Sequence, residues 1–217
     1  MQLPFTYKIL LYLSIFSVFV PTTLGIKKFK ALDKRMRALF IYIVASALSD
    51  FISLYVASKG ISNYSIRNIY IIITGVCITF IYYSSFDDKK IRRFILISFL
   101  CFLLLYLSNF VIWGSFNRLD KTVITVEALF FILLAHTYTY YLFKEMNFKR
   151  LTDDSFFWVN NALLIYFSGN FAIFLYFNYI VNIGLDIYYY LSCLPLLTNI
   201  TYNILLAKGL WKIKLQS

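Results

Sequence analysis

Two carboxylates, Asp50 and Glu127, fall inside long apolar runs of a 217-residue sequence. A charged side chain at the bilayer centre costs roughly 2.5–3.5 kcal/mol on insertion scales, so an acid retained there calls for a function or a partner. The apolar segments that hold the two acids contain no Lys or Arg. Each carboxylate must therefore be protonated, hydrated in a cavity, or neutralised by a cation or a ligand. Two chemistries are open to such a pair. One is the binding of a polar or cationic group. The other is acid/base work in which one carboxyl carries a proton and the other does not.

Polar residues share helical stripes with these acids. At about 100° per residue, Ser46, Ser49, Asp50 and Ser53 fall on one face, and Tyr42 extends it by a turn. In the last apolar run Tyr188, Ser192, Asn199 and Asn203 share a face, and Pro195 removes one backbone hydrogen bond from the same helix. The run before it carries Asn160, Asn161, Ser168 and Asn170 over a broader arc. Together these residues predict a polar cavity in the outer half of the membrane, lined by Asp50, Ser53, Glu127, Asn170 and Asn199. For Ser and Asn the plainer expectation is hydrogen bonding between helices, worth roughly 0.6 kcal/mol per pair.

Other chemistries are excluded. His136, the one histidine, lies nine residues after Glu127 and so half a helical turn out of phase with it. It is expected to be a helix-packing residue, and one His cannot make a multi-histidine metal site. Cys77, Cys101 and Cys193 lie in apolar runs and form no C-x-x-C, which argues against a disulfide framework and a zinc site. No H-E-x-x-H, G-x-S-x-G or P-loop occurs, and no Lys lies mid-way along the last run to carry a retinal. No metal and no cofactor are expected.

The elements that must position the acids follow from composition. The chain is 61% hydrophobic and 14% charged, with a mean hydropathy of +0.73. Soluble domains are about 45–50% apolar and about 25% charged, which excludes a soluble enzyme or a disordered tail. Seven apolar segments are readable, at 5–25, 38–58, 68–86, 94–113, 122–143, 156–177 and 187–207. Each is long enough to cross a hydrocarbon layer of about 30 Å as a helix. The fold expected is all-α, a single polytopic transmembrane bundle of seven helices. Thr152-Asp153-Asp154-Ser155 reads as an N-terminal cap for the sixth.

The net charge of +11 sits in the connectors. Connectors 26–37, 87–93 and 144–155 and the tail after 207 hold 16 of the 21 Lys and Arg residues; the alternate side holds Lys8, Lys59, Arg67, Arg118 and Lys121. By the positive-inside rule the N-terminus lies outside and the C-terminus in the cytoplasm. Trp113 and Tyr188–Tyr190 would mark the outer interface, and Tyr82, Tyr83, Tyr140, Tyr141, Trp158 and Trp211 the inner one. The strongest positive cluster follows the first apolar run and no A-x-A site is visible, so that run reads as a retained helix rather than a signal peptide. The basic connectors are expected to meet anionic lipids at the cytoplasmic face, and nucleic acid is not an expected partner.

The stretch Phe156-Phe157-Trp158-Val159-Asn160-Asn161-Ala162-Leu163-Leu164-Ile165-Tyr166-Phe167-Ser168-Gly169-Asn170 resembles a motif of uncharacterised seven-helix bacterial inner-membrane proteins, F-W-x-N-x-x-x-L-I-Y-F-S-G-N. Glu127-Ala128-Leu129 and the segment Asn199 to Trp211 look similar too. The resemblance implies a multi-pass protein of the cytoplasmic membrane, of a kind discussed beside sensor kinases, and carries no catalytic role. Leu48-Ser49-Asp50 is similar to a short element of lysoplasmalogenase-like membrane hydrolases.

Three functions follow as expectations. The leading one is a sensor or receptor-like module whose cavity takes a small or lipidic ligand and which signals to a cytoplasmic or membrane partner. The second is a lipid hydrolase using Asp50 and Glu127. The third is a membrane effector of a phage-defence system, acting as a homo-oligomer.

Overall fold

A computed structural model describes residues 5–113, 121–145, 148–183 and 185–214. Among the described residues the only regular structure is helical, with no strand, and eight α-helices make seven candidate membrane spans. Length and composition make this a multi-pass membrane protein. Arg118 and the side chains of Trp113, Lys121, Lys149, Arg150, Tyr188 and Tyr189, which entered the reading of sidedness, lie outside the described residues.

The helices are α1 (Phe5–Ser17), α2 (Phe19–Lys28), α3 (Lys34–Ser58), α4 (Tyr64–Tyr83), α5 (Lys89–Trp113), α6 (Lys121–Glu145), α7 (Ser155–Ile183) and α8 (Leu185–Lys212). The first span is thus two helices, broken at Val18. Pro21 supplies the reason. It has no N–H to donate to the previous turn, so the ladder restarts just before it. The chain forms two compact units, Leu32–Phe130 and, together, Met1–Ala31 with Phe131–Ser217, the division falling within α6.

In the unit Leu32–Phe130, α3 starts where the Asp33 carboxylate accepts the Met36 N–H at 2.7 Å. It stops at Gly60, whose φ of +71° allows Ile61 N–H to reach the Val56 carbonyl and Gly60 N–H the Ala57 carbonyl. That left-handed stop returns the chain as α4, antiparallel to α3, with Tyr42 and Tyr70 stacked at 6.3 Å. Gly75 on α4 faces the Phe99 and Phe102 rings of α5, where an added Cβ would sit 3.1 Å from Phe99. Phe102 in turn stacks on Phe130 of α6 at 6.1 Å.

In the other unit α7 and α8 form a tight antiparallel hairpin. A Cβ on Gly169 would lie 2.4 Å from Thr198 Cγ2, and one on Gly209 would lie 2.9 Å from the Ser155 carbonyl oxygen. Only glycine permits either approach, the same device that brings membrane helices together elsewhere. The cap expected before α7 is present: Asp154 Oδ1 accepts the Phe156 N–H at 3.1 Å. The α1–α2 pair runs parallel to α8. Asn199 Nδ2 donates to Ser14 Oγ at 2.9 Å, Asn203 Nδ2 to Ser17 Oγ at 2.7 Å, and Lys28 Nζ to the Trp211 and Ile213 carbonyls at 2.5 and 2.6 Å. Lys28 thereby satisfies carbonyls that the end of α8 would otherwise leave open.

Large apolar side chains are exposed on both units, among them Leu48, Tyr55 and Leu104 on one and Phe5, Leu133 and Ile204 on the other, while Ser14, four asparagines, two threonines and one carboxylate are buried. In water that inversion would be a liability. In a bilayer it is the arrangement that turns mostly apolar surface toward lipid.

Candidate functional site

The site is built within the unit Leu32–Phe130, at the end where α3 finishes and α4 begins. Residues four apart on a helix share a face, so Tyr42, Ser46 and Asp50 project from α3 toward α4 together. There the Tyr70 hydroxyl shares hydrogen bonds with Tyr42 and Ser46 and lies within electrostatic reach of Asp50. From α5, Tyr106 donates its hydroxyl to the Asn68 backbone carbonyl at 2.9 Å. From α6, Glu127 is brought within electrostatic reach of Tyr106. Four helices thus contribute to one polar cluster.

Arg67 ties the cluster together. Its guanidinium acts electrostatically on both Asp50 and Glu127. This corrects the expectation that no cation lies near the acids. Drawing the second connector up to residue 67 put Arg67 outside the helix. In fact α4 starts at Tyr64, so Arg67 occupies its first turn. The residue is exposed there. Ser62-Asn63 directly before Tyr64 was the signal that could have moved the helix start, since both residue types favour that position.

Glu127 is the most confined member. It is 6% exposed, and its Oε1 is buried without a hydrogen-bond partner. A buried polar atom left unsatisfied costs about 1–3 kcal/mol, and more when charged. Asp50 and Ser53 are half-buried on α3. The cluster therefore grades from a closed end at Glu127 to a partly open one at Asp50 and Arg67. Arg67 acts on both carboxylates electrostatically and makes a salt bridge with neither, so Glu127 Oε1 stays unpaired.

Of the five residues expected to line one cavity, Asp50, Ser53 and Glu127 belong to this unit, and Asp50 and Glu127 are linked through Arg67. Asn170 and Asn199 belong to the other unit. There the Asn170 amide donates to the Tyr166 carbonyl at 2.7 Å, and Asn199 is bonded to Ser14. Asn160 likewise donates to Thr139 Oγ1 at 2.8 Å. Asn160 and Asn199 thus bond between helices, whereas Asn170 bonds within α7. His136 is exposed on α6 rather than packed. No group of three His, Cys, Asp or Glu among the described residues is placed to hold a metal ion.

Compared with family models, curated proteins and solved structures, the chain matches none.

Proposed function

We propose that the chain is a membrane sensor whose ligand is held by the Arg67–Asp50–Glu127 cluster. The observation that carries this reading is the buried Glu127 Oε1, which has no hydrogen-bond partner. A small or lipidic ligand bearing an amine or hydroxyl would donate to that oxygen and complete the arrangement. Four helices contribute to the cluster, so a ligand there shifts their packing. The basic connectors pass the change to a protein partner. The orientation that accompanies this reading has the N-terminus outside and the C-terminus in the cytoplasm, in a bacterial inner membrane, as the positive-inside count and the Phe156–Asn170 motif both suggest.

The test is retention. Wild-type protein taken from its membrane should carry a non-protein mass in native mass spectrometry that Asp50→Asn and Glu127→Gln both lose. Equal masses on all three proteins, or none on the wild type, would overturn the reading.

A second reading, a lipid hydrolase, draws on the same pairing. Two carboxylates in different surroundings under one guanidinium are what an acid/base pair requires. Turnover of ether- or ester-linked lysophospholipids by the wild type, lost in both variants, would select it over the sensor.

A further inference from the structure

The first three turns of α5 carry a second feature, separate from the cluster above. Lys89, Lys90, Arg93, Phe94 and Ile97 line a cleft of about 360 Å³ on the unit Leu32–Phe130. Lys89 and Arg93 are four residues apart, as are Lys90 and Phe94, and Arg93 and Ile97, so all five fall on one side of the helix. The three cations are nearest the helix start. The two apolar residues are about one turn further along, with Phe94 61% and Ile97 54% exposed.

The neighbouring cation Arg92 is spoken for and these are not. Arg92 pairs with Asp87 at 3.5 Å, donates to the Phe86 carbonyl and lies over the Tyr83 ring. Asp88 is used by the backbone, accepting the Lys90 N–H at 2.7 Å. Among the described residues no carboxylate pairs with Lys89, Lys90 or Arg93. Three positive charges thus border an apolar groove with no protein anion to meet them. The order along the helix, charge first and hydrocarbon after, is that of a phospholipid lying along a span, headgroup at the interface and acyl chain beside the helix.

We propose that this cleft is a binding site for one anionic phospholipid, its phosphate against Lys89, Lys90 and Arg93 and an acyl chain along Phe94 and Ile97. Charge complementarity selects an acidic headgroup over a zwitterionic one, and the apolar continuation selects a lipid over a free phosphate. The site does not depend on the ligand of the Arg67 cluster.

The experiment uses full-length protein in nanodiscs with a photoreactive phosphatidylglycerol carrying a diazirine on its acyl chain. Label should concentrate on the peptide containing Phe94 and Ile97, and unlabelled phosphatidylglycerol should compete at least about tenfold better than phosphatidylcholine. Lys89→Gln, Lys90→Gln and Arg93→Gln together should lower labelling by about tenfold or more, while the same charge removed at Lys27, Lys30 and Lys34 should leave it within about twofold. All six are surface positions, and far-ultraviolet circular dichroism of each variant checks the helices. Equal loss from both triple variants would mean diffuse surface attraction and would overturn the proposal. So would label spread over all spans, equal competition by phosphatidylcholine, competition by inorganic phosphate alone, or cross-links joining two copies of the chain.

Discussion

Glu127 and Arg67 set opposite expectations for stability. Glu127→Gln keeps the side-chain shape and replaces a buried, under-satisfied carboxylate oxygen with an amide, while Arg67 retains Asp50 as its partner. The apparent unfolding midpoint in nanodiscs should rise, by the equivalent of about 1 kcal/mol. Arg67→Gln leaves both carboxylates without their shared cation, and the midpoint should fall by the equivalent of about 0.5 kcal/mol, because the guanidinium is exposed and acts without a direct salt bridge. Equal falls in both variants would mean that Glu127 is satisfied as it stands. Asn199→Ala tests the other class of polar residue. It removes the donor to Ser14 Oγ and should cost about 0.6 kcal/mol with no effect on any mass retained by the cluster.

Two glycines separate backbone strain from crowding at the level of the helix. Gly60 has φ of +71° with open space around its missing Cβ. Gly60→Ala should therefore cost about 1 kcal/mol through the backbone alone. Gly169 carries no such strain but is crowded: its missing Cβ would meet Thr198 Cγ2 at 2.4 Å. Gly169→Ala should cost about 1–3 kcal/mol by forcing α7 and α8 apart. Thr198→Ser removes the offending methyl and should recover much of that loss, whereas it should not rescue Gly60→Ala. Thermal unfolding of the four variants in one lipid decides this, and failure of the rescue would mean that the hairpin yields elsewhere. The same elements mark what was legible beforehand. Runs of apolar residues reveal a span because a bilayer demands length and little else, so all seven were readable. Element ends were not. Lipid stops selecting residues at the interface, so the apolar run ends short of Arg67 although α4 starts at Tyr64, and it ends at 177 although α7 continues to Ile183. The break at Val18 was signalled by Pro21 but is invisible to a hydrophobicity count. In the candidate site, the stripe Tyr42–Ser46–Asp50 was legible because it has helical period. The partners across it were not, since no periodicity within one helix says which neighbour it meets.

Sidedness is a property of the whole chain. Sixteen of 21 basic residues fall in alternate connectors, a bias that acts during insertion through the loops nearest each span. Within one unit, α1–α2 and α8 run parallel, with Ser14 beside Asn199 and Lys28 at the end of α8. Parallel first and last spans require an odd number of crossings, so the two arguments agree on termini at opposite faces while only the charge count chooses which. A fluorescent protein that matures only in the cytoplasm should therefore fluoresce when fused after Ser217. A periplasm-specific phosphatase fused there should be silent, yet active when fused in the connector at Ser62. Moving charge should move the result. With Lys27, Lys28, Lys30, Lys34, Arg35 and Arg37 all changed to Gln, the first connector loses the six cations nearest the first span, and a fraction of chains should insert with that span reversed. The fusion after Ser217 would then divide between the two reporters, because six later spans still carry their own bias. Complete reversal would place the topological decision in the first connector alone. No change at all would place it in the later ones, at Lys89–Arg93 and beyond.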